Sequence, residues 1–184
     1  MWPGDAGAVL LPLAREAIAV TLDVPVESSP EPVDAWLDEP GASFVTLHLA
    51  GRLRGCIGTL QAYRSIRDDV RGNARAAAFE DPRFGPLTRE EYAGIDLEVS
   101  LLSPPEEMPW SSEAELLREV RPGVDGLLLQ AGSHRGTFLP QVWDQLPDPQ
   151  VFFQNLKSKA GLGRKSWGRD WRVFRYTVTA WAEP

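Results

Sequence analysis

Ser43-Phe44-Val45-Thr46-Leu47-His48-Leu49-Ala50-Gly51-Arg52-Leu53-Arg54-Gly55-Cys56-Ile57-Gly58-Thr59-Leu60 decides the fold class of this chain. Strand-forming residues lie on both sides of Ala50-Gly51, a pair that suits a hairpin turn. Loop parity sets which side chains share a face. A two-residue loop mixes leucines with arginines on each face, which is hard to bury. The three-residue loop Leu49-Ala50-Gly51, with Gly51 at positive φ, pairs Leu47 with Leu53. Val45, Leu47, Leu53 and Ile57 then share one face, and Thr46, His48, Arg54 and Cys56 share the other. The odd loop is therefore expected, with Cys56 and Arg54 looking away from the aliphatic core.

The flanking segments supply helices and a second hairpin. Across residues 6–22, Val9, Leu10, Leu13, Ala17 and Val20 recur at helical spacing. Asp5 is placed to cap that helix, and Pro12 to kink it or mark its true first turn. Residues 23–42 are rich in proline and acids and read as an irregular connection. Ser65-x-x-Asp68 is a near capping box ahead of the stripe Ile66, Val70, Ala74 and Ala77. Asn73 falls on the same stripe, where a buried amide needs partners. Asp81-Pro82 stops this helix, and Thr88-x-x-Glu91 suggests one short helical turn. Ile95, Leu97, Val99 and Leu101 alternate with Asp96, Glu98 and Ser100, the pattern of a half-buried strand.

A helix from Ser111 or Ser112 to about Val120 comes next. Strands are expected over 124–130 and 134–139, turning at Ala131-Gly132-Ser133. Asp148-Pro149 starts a helix that Gly161 can end. A basic loop, 163–170, precedes Trp171 to Trp181, a β-rich run expected in the main sheet. Two hairpins imply antiparallel pairing, and the helices do not alternate with single strands. The class is α+β, an antiparallel-rich main sheet with flanking helices.

A length of 184 residues fits one domain, or one with a small lobe, and can bury a core without disulfide or metal. The lone cysteine forms no internal disulfide, which favours a reducing compartment. No apolar run is long enough to span a membrane, and the first residues lack the basic start of a secretory signal. A cytoplasmic location is expected. The net charge of −7 argues against general nucleic-acid binding. The charge is uneven: residues 151–184 carry seven Lys/Arg against two Asp/Glu, so that segment is +5 and the rest −12. The run Lys157 to Arg175 reads either as a solvated face or as a basic patch for an anionic ligand or an acidic partner.

Chemistry concentrates around Leu53-Arg54-Gly55-Cys56-Ile57-Gly58. Glycine in a strand marks a bulge or a close approach, so Gly55 and Gly58 suggest that something meets the backbone beside the thiol. A cation near a thiol favours the reactive thiolate, and Arg54 is two residues away. Cys56 reads as a nucleophile or redox thiol, or as a small residue filling space. His134 is the candidate general base, with His48 the alternative. Glu98 can act as acid or base, or orient Arg54, Asn73 or His134. Asn73 can bind a ligand carbonyl or tie down a loop, while Asp81 and Arg83 fix the helix exit. Cys56, His48 and His134 have no metal-ligand spacing, and no phosphate-binding glycine motif or nucleophile-elbow serine is present. No metal and no cofactor are expected.

Leu53-Arg54-Gly55-Cys56-Ile57-Gly58 resembles the signature of the AMMECR domain family, named for a human chromosomal region linked to Alport syndrome and elliptocytosis. The likeness extends through Asn73-Ala74-Arg75-Ala76-Ala77-Ala78-Phe79, Asp81-Pro82-Arg83-Phe84 and Leu97-Glu98-Val99-Ser100. It continues in Gly126-Leu127-Leu128-Leu129, His134 to Trp143, and Leu156-Lys157-x-Lys159-Ala160-Gly161-Leu162. It covers roughly residues 6–182, a single domain with short tails at 1–5 and 183–184. The resemblance implies a compact α+β fold with a larger and a smaller lobe and a groove around the cysteine motif. Prokaryotic members form component A of the AmmeMemoRadiSam system. The implied partners are a Memo-like protein, related to extradiol-type dioxygenases, and a radical-SAM protein. It implies no particular reaction. The expected catalytic residues are Cys56, His134 and Glu98, and the expected substrate-binding residues are Arg54, Gly55, Gly58 and Asn73. The alternative is a non-catalytic binding or adaptor subunit for the same partners.

Overall fold

The computed structural model describes residues 2–25 and 32–184. The remainder of the expected irregular connection, 26–31, lies outside the described residues. The elements in chain order are α1 (Gly7–Leu22), β1 (Pro40–Leu49), β2 (Arg52–Gly58), β3 (Arg64–Ser65), α2 (Ile66–Phe79), α3 (Arg89–Tyr92) and β4 (Ile95–Leu102). They continue with β5 (Glu106–Glu107), α4 (Glu113–Glu119), β6 (Gly126–Ala131), β7 (His134–Phe138), α5 (Pro149–Lys159), β8 (Arg172–Tyr176) and β9 (Val178–Ala182). Short 3-10 turns lie at Ala35–Asp38 and Pro140–Asp144. The chain divides into two compact units, Met1–Leu102 with Thr179–Pro184, and Ser103–Val178. The α+β class is borne out, with antiparallel pairing in both sheets.

In the first unit the sheet runs β2-β1-β4-β9, with β3 paired to the start of β1. Helices α1 and α2 cover one face. Leu10, Leu13, Ala17 and Ile18 of α1 and Val70, Ala74 and Ala77 of α2 pack against Val45, Leu47, Leu97 and Val99. Burying each of the larger aliphatic side chains stabilises the fold by about 1.5–3 kcal/mol. Helix α2 starts as the sequence indicates: Ser65 accepts from the N–H of Asp68, and two aspartates sit in the first turn, where the helix dipole favours them. Helix α1 differs. Ala6 occupies its cap position with no side-chain bond, and Asp5 contributes only its carbonyl, to Ala8 N–H. The helix continues through the exposed Pro12. Glu183, beyond the expected end of the domain, accepts from Arg15 and from the N–H of Leu97.

The hairpin register is the main correction. The turn is the two-residue Ala50-Gly51, with φ of 51° and 72°, both left-handed. His48 pairs with Leu53, but Leu47 pairs with Gly55, so Arg54 is an inserted residue with no partner on β1. This bulge restores the parity that an odd loop would have supplied. Beyond it Thr46 opposes Cys56 and Val45 opposes Ile57, so the expected faces hold there. They fail for Leu53, which faces with His48 and is 40% exposed.

In the second unit the sheet runs β5-β8-β6-β7. Leu127, Leu129 and Val173 pack with Leu116, Phe152, Phe153 and Leu156. Trp143 stacks on Phe152 at 3.7 Å between ring centroids, and its Nε1 donates to the carbonyl of Asp125. The β-rich run Trp171 to Trp181 is not one strand of the main sheet. It breaks at Thr177, whose N–H donates to Ser103 Oγ, so β8 joins the second sheet and only β9 the first.

Candidate functional site

β2 lies at the edge of its sheet, so alternate residues turn their N–H and C=O outward with no strand to receive them. Cys56 is such a residue. Its N–H donates to Asp81 Oδ2 at 2.9 Å, and its carbonyl accepts from Arg83 Nη2 at 3.3 Å. Arg83 in turn grips Asp81 with two bonds, Nη2 to Oδ2 at 2.6 Å and Nε to Oδ1 at 2.9 Å. A bidentate ion pair thus stands where the next strand would be. The same outward turn makes Thr46 and Cys56 a non-hydrogen-bonded pair, the closer kind across an antiparallel ladder. Thr46 Oγ1 donates to Cys56 Sγ at 3.3 Å.

Cys56, Thr46 and Glu98 form a transverse row across β2, β1 and β4 on the face away from α1 and α2. All three are half-buried. His48 and Asp96 pair one step along, on the same face. Among the described residues the Glu98 side chain makes no hydrogen bond or ion pair. Its three expected partners, Arg54, Asn73 and His134, are bonded elsewhere.

Arg54, the bulge residue, turns to α3. Its Nε and Nη2 donate to the two oxygens of Glu91 at 3.0 and 2.9 Å, and Nη2 also reaches the Pro86 carbonyl. Its Nη1 is buried without a partner. The ring of Phe84 lies 5.8 Å from the Arg54 guanidinium and 5.5 Å from that of Arg83. Asn73 is 4% exposed, and its amide bonds Ser43, Thr59, Asp69 and Arg64 under α2. His134 belongs to the second unit, where its Nδ1 is 3.0 Å from the carbonyl of Ala160. A carbonyl accepts only, so Nδ1 carries the proton and a neutral ring leaves Nε2 as the base.

The two glycines answer to the protein itself. A Cβ on Gly55 would lie 2.1 Å from the carbonyl oxygen of Ala77 in α2, and one on Gly58 would lie 2.2 Å from the ring of Phe44. Asp81, Arg83 and Thr46 are the residues the sequence reading left out of the site. The available signal was the unpaired backbone of an edge strand at Cys56, which demands a local donor and acceptor.

The electrostatics follow from these bonds. The Arg83 guanidinium, helped by the N–H groups of Cys56 and Arg83, holds the Asp81 carboxyl well below its usual range against the cost of burial. Asp81 raises Arg83 correspondingly. Arg54, then the backbone N–H of Thr88, lowers Glu91 to about 2. Among the described residues no three His, Cys, Asp or Glu side chains converge as a metal site, and no helix is long and apolar enough to cross a membrane.

Residues 11–181 match the model of the AMMECR1 family. The chain belongs to that family. It is 37% identical over 183 residues to a protein of Methanothermobacter thermautotrophicus, covering 97% of this chain and 95% of the relative. A Thermofilum pendens protein is 35% identical over 192 residues, covering 97% and 90%. The crystal structure of the uncharacterised Pyrococcus horikoshii protein PH0010 superimposes with a TM-score of 0.78 at 33% identity, covering 96% of this chain and 91% of that one. The likeness read from the cysteine motif is therefore borne out, and the AMMECR1 fold is the frame in which Cys56 sits.

Proposed function

We propose that this AMMECR1-family protein is a small-molecule enzyme, or the catalytic subunit of one, working at the sheet face that bears Cys56. The observation that carries the reading is the setting of the sulfur. It is half-buried, its backbone is clamped on both polar groups, and a hydroxyl donates to it. A positioned donor stabilises charge on sulfur as it attacks or leaves, and a fixed backbone holds the thiol in one geometry. Glu98 is the proton carrier in the same row. Arg54 is committed to Glu91 and Pro86 and its Nη1 is buried, so its part is to shape the bulge. Memo-like and radical-SAM partners complete the proposal on the strength of the family likeness, and a cytoplasmic location on the strength of the lone free cysteine.

Alkylation with iodoacetamide tests it. The expected result is that Cys56 reacts at pH 7 faster than the thiol of a short unstructured peptide, and that Thr46→Val slows it. A slow, ordinary reaction that Thr46→Val leaves unchanged overturns the nucleophile reading. Metabolite profiling of cells with and without the protein then reads out the substrate.

The second reading, a non-catalytic adaptor, draws on the exposed Lys159, Arg164, Lys165 and Arg169 of the second unit. The rest of the C-terminal charge is not free. Lys157 is buried, Arg172 pairs with Glu107 and Arg175 with Glu106. Co-purification with the two partners discriminates: a salt-sensitive complex that survives Cys56→Ala favours the adaptor.

A further inference from the structure

A cleft of about 490 Å³ lies along the outer side of α2, away from the sheet and from the Cys56 face. Its walls include Tyr63, Arg64, Arg75 and Glu80, and Ala76 and Phe79 supply an apolar floor. Arg64 is held rigidly. Its Nε donates to the fully buried Asp69 at 2.8 Å, and its Nη2 reaches Asn73 Oδ1. The guanidinium lies flat across Gly72, where a Cβ would meet Nη1 at 2.6 Å. Glycine inside a helix costs about 1 kcal/mol relative to alanine, and here it makes room for that cation. Tyr63, 69% exposed, stands over the guanidinium at 5.0 Å. Nη1 of Arg64 has no acceptor among the described residues, and Arg75 has no ion pair among them.

We propose that this cleft is a binding site for a small oxyanion, a carboxylate or a phosphomonoester, carried on a planar apolar body. Arg64 supplies a preorganised donor and Arg75, on α2, a second cation, an arrangement suited to charge-assisted hydrogen bonds. The ring of Tyr63 and the floor of Phe79 and Ala76 receive the apolar part. The volume is that of an ordinary small-molecule site. The inference stands apart from the chemistry proposed for Cys56.

The test is an NMR titration of the intact protein with benzoate, with phenyl phosphate, and with phenol as the neutral control. The expected result is saturable movement of the Gly72 and Ala76 amide signals with one or both anions and none with phenol. Which anion acts identifies the source of the oxyanion. Arg75→Gln and Tyr63→Ala change exposed side chains, so the fold persists. Each is expected to weaken binding about tenfold, the loss of one charge-assisted bond or one aromatic contact. Equal response to phenol, no saturable shift, or unchanged affinity in Arg75→Gln overturns the proposal.

Discussion

The backbone N–H of Cys56 donates to the carboxylate of Asp81, twenty-five residues further along the chain, at 2.9 Å. Asp81 is 4% exposed and also carries both bonds from Arg83. Asp81→Ala therefore strips an edge-strand amide of its acceptor and releases the arginine that holds the carbonyl. The expected loss is about 2–3 kcal/mol, the range for a hydrogen bond to a charged group whose partner is left behind. The pH dependence has a definite sign. Because the folded carboxyl lies below its ordinary value of 3.8, its contribution is fully present above that value and is lost as pH falls through the lower folded one. Urea denaturation of both proteins at pH 7, and at steps below pH 4, should show a gap that narrows only in acid. A gap unchanged in strong acid would show that the ion pair contributes nothing.

Gly55 and Gly58 flank the thiol for different reasons, and alanine at each separates them. At Gly55 the obstacle is the main chain of α2, which cannot yield without moving the helix. At Gly58 it is the ring of Phe44, a side chain that can be shortened. Gly58→Ala is expected to cost about 1–3 kcal/mol, the usual penalty for overpacking, and Phe44→Ala in the same molecule should recover part of it. Gly55→Ala should cost at least as much and resist that rescue. Thermal melts of the wild type, the three single variants and the two doubles with Phe44→Ala decide it.

The helices and β4 were legible because their signals are local. The stripe Ile66, Val70, Ala74 and Ala77 is buried, and Ile95 to Val99 alternates as a one-sided strand should, whereas Ser100, on the polar side of the pattern, is buried as well. The capping box at Thr88 and Glu91 forms in full. The hairpin register was not legible. Its parity is decided by a bulge at Arg54, and a bulge is stabilised by what receives the displaced side chain, here Glu91 on a helix more than thirty residues away. The glycine motif misled in the same way. Two missing side chains show that something comes close, but the sequence does not say whether that is a ligand or the protein's own Ala77 and Phe44. From sequence Asp81 and Arg83 read as a helix exit, because their bonds to Cys56 depend on which strand forms the sheet edge, a property of topology.

Glu91 joins two structures at once. Its carboxylate accepts from the N–H of Thr88, closing the first turn of α3, and from both Nε and Nη2 of Arg54. Glu91→Gln keeps the shape and removes the charge. A cost of about 1 kcal/mol is expected, the sum of a weakened cap and a partly exposed ion pair. With a folded value of about 2 against an ordinary 4.5, the stabilisation is present above pH 4.5 and fades between 4.5 and 2. Wild type and Glu91→Gln should therefore differ in chemical denaturation at pH 6 and converge near pH 2. Divergence that grows in acid would contradict the pairing.

Lys157 shows why a run of basic residues in sequence is not a basic surface. It is 1% exposed, with Nζ 3.0 Å from Glu113 Oε2 and 3.3 Å from the carbonyl of Ser166, beside the ring of Phe153. A buried ion pair gains little net stability over an apolar replacement, but breaking it from one side leaves a charge that burial penalises. The two sides are unequal here. Glu113 keeps 27% of its side chain in solvent and can rehydrate, whereas the ammonium cannot. Lys157→Met fills the same space without charge and should cost little, about 1 kcal/mol. Glu113→Gln leaves the ammonium without its carboxylate and should cost more, approaching the roughly 3–5 kcal/mol of an orphaned buried charge. Guanidinium denaturation at pH 7 that ranked Lys157→Met as the more damaging change would mean that Nζ reaches solvent in the folded protein.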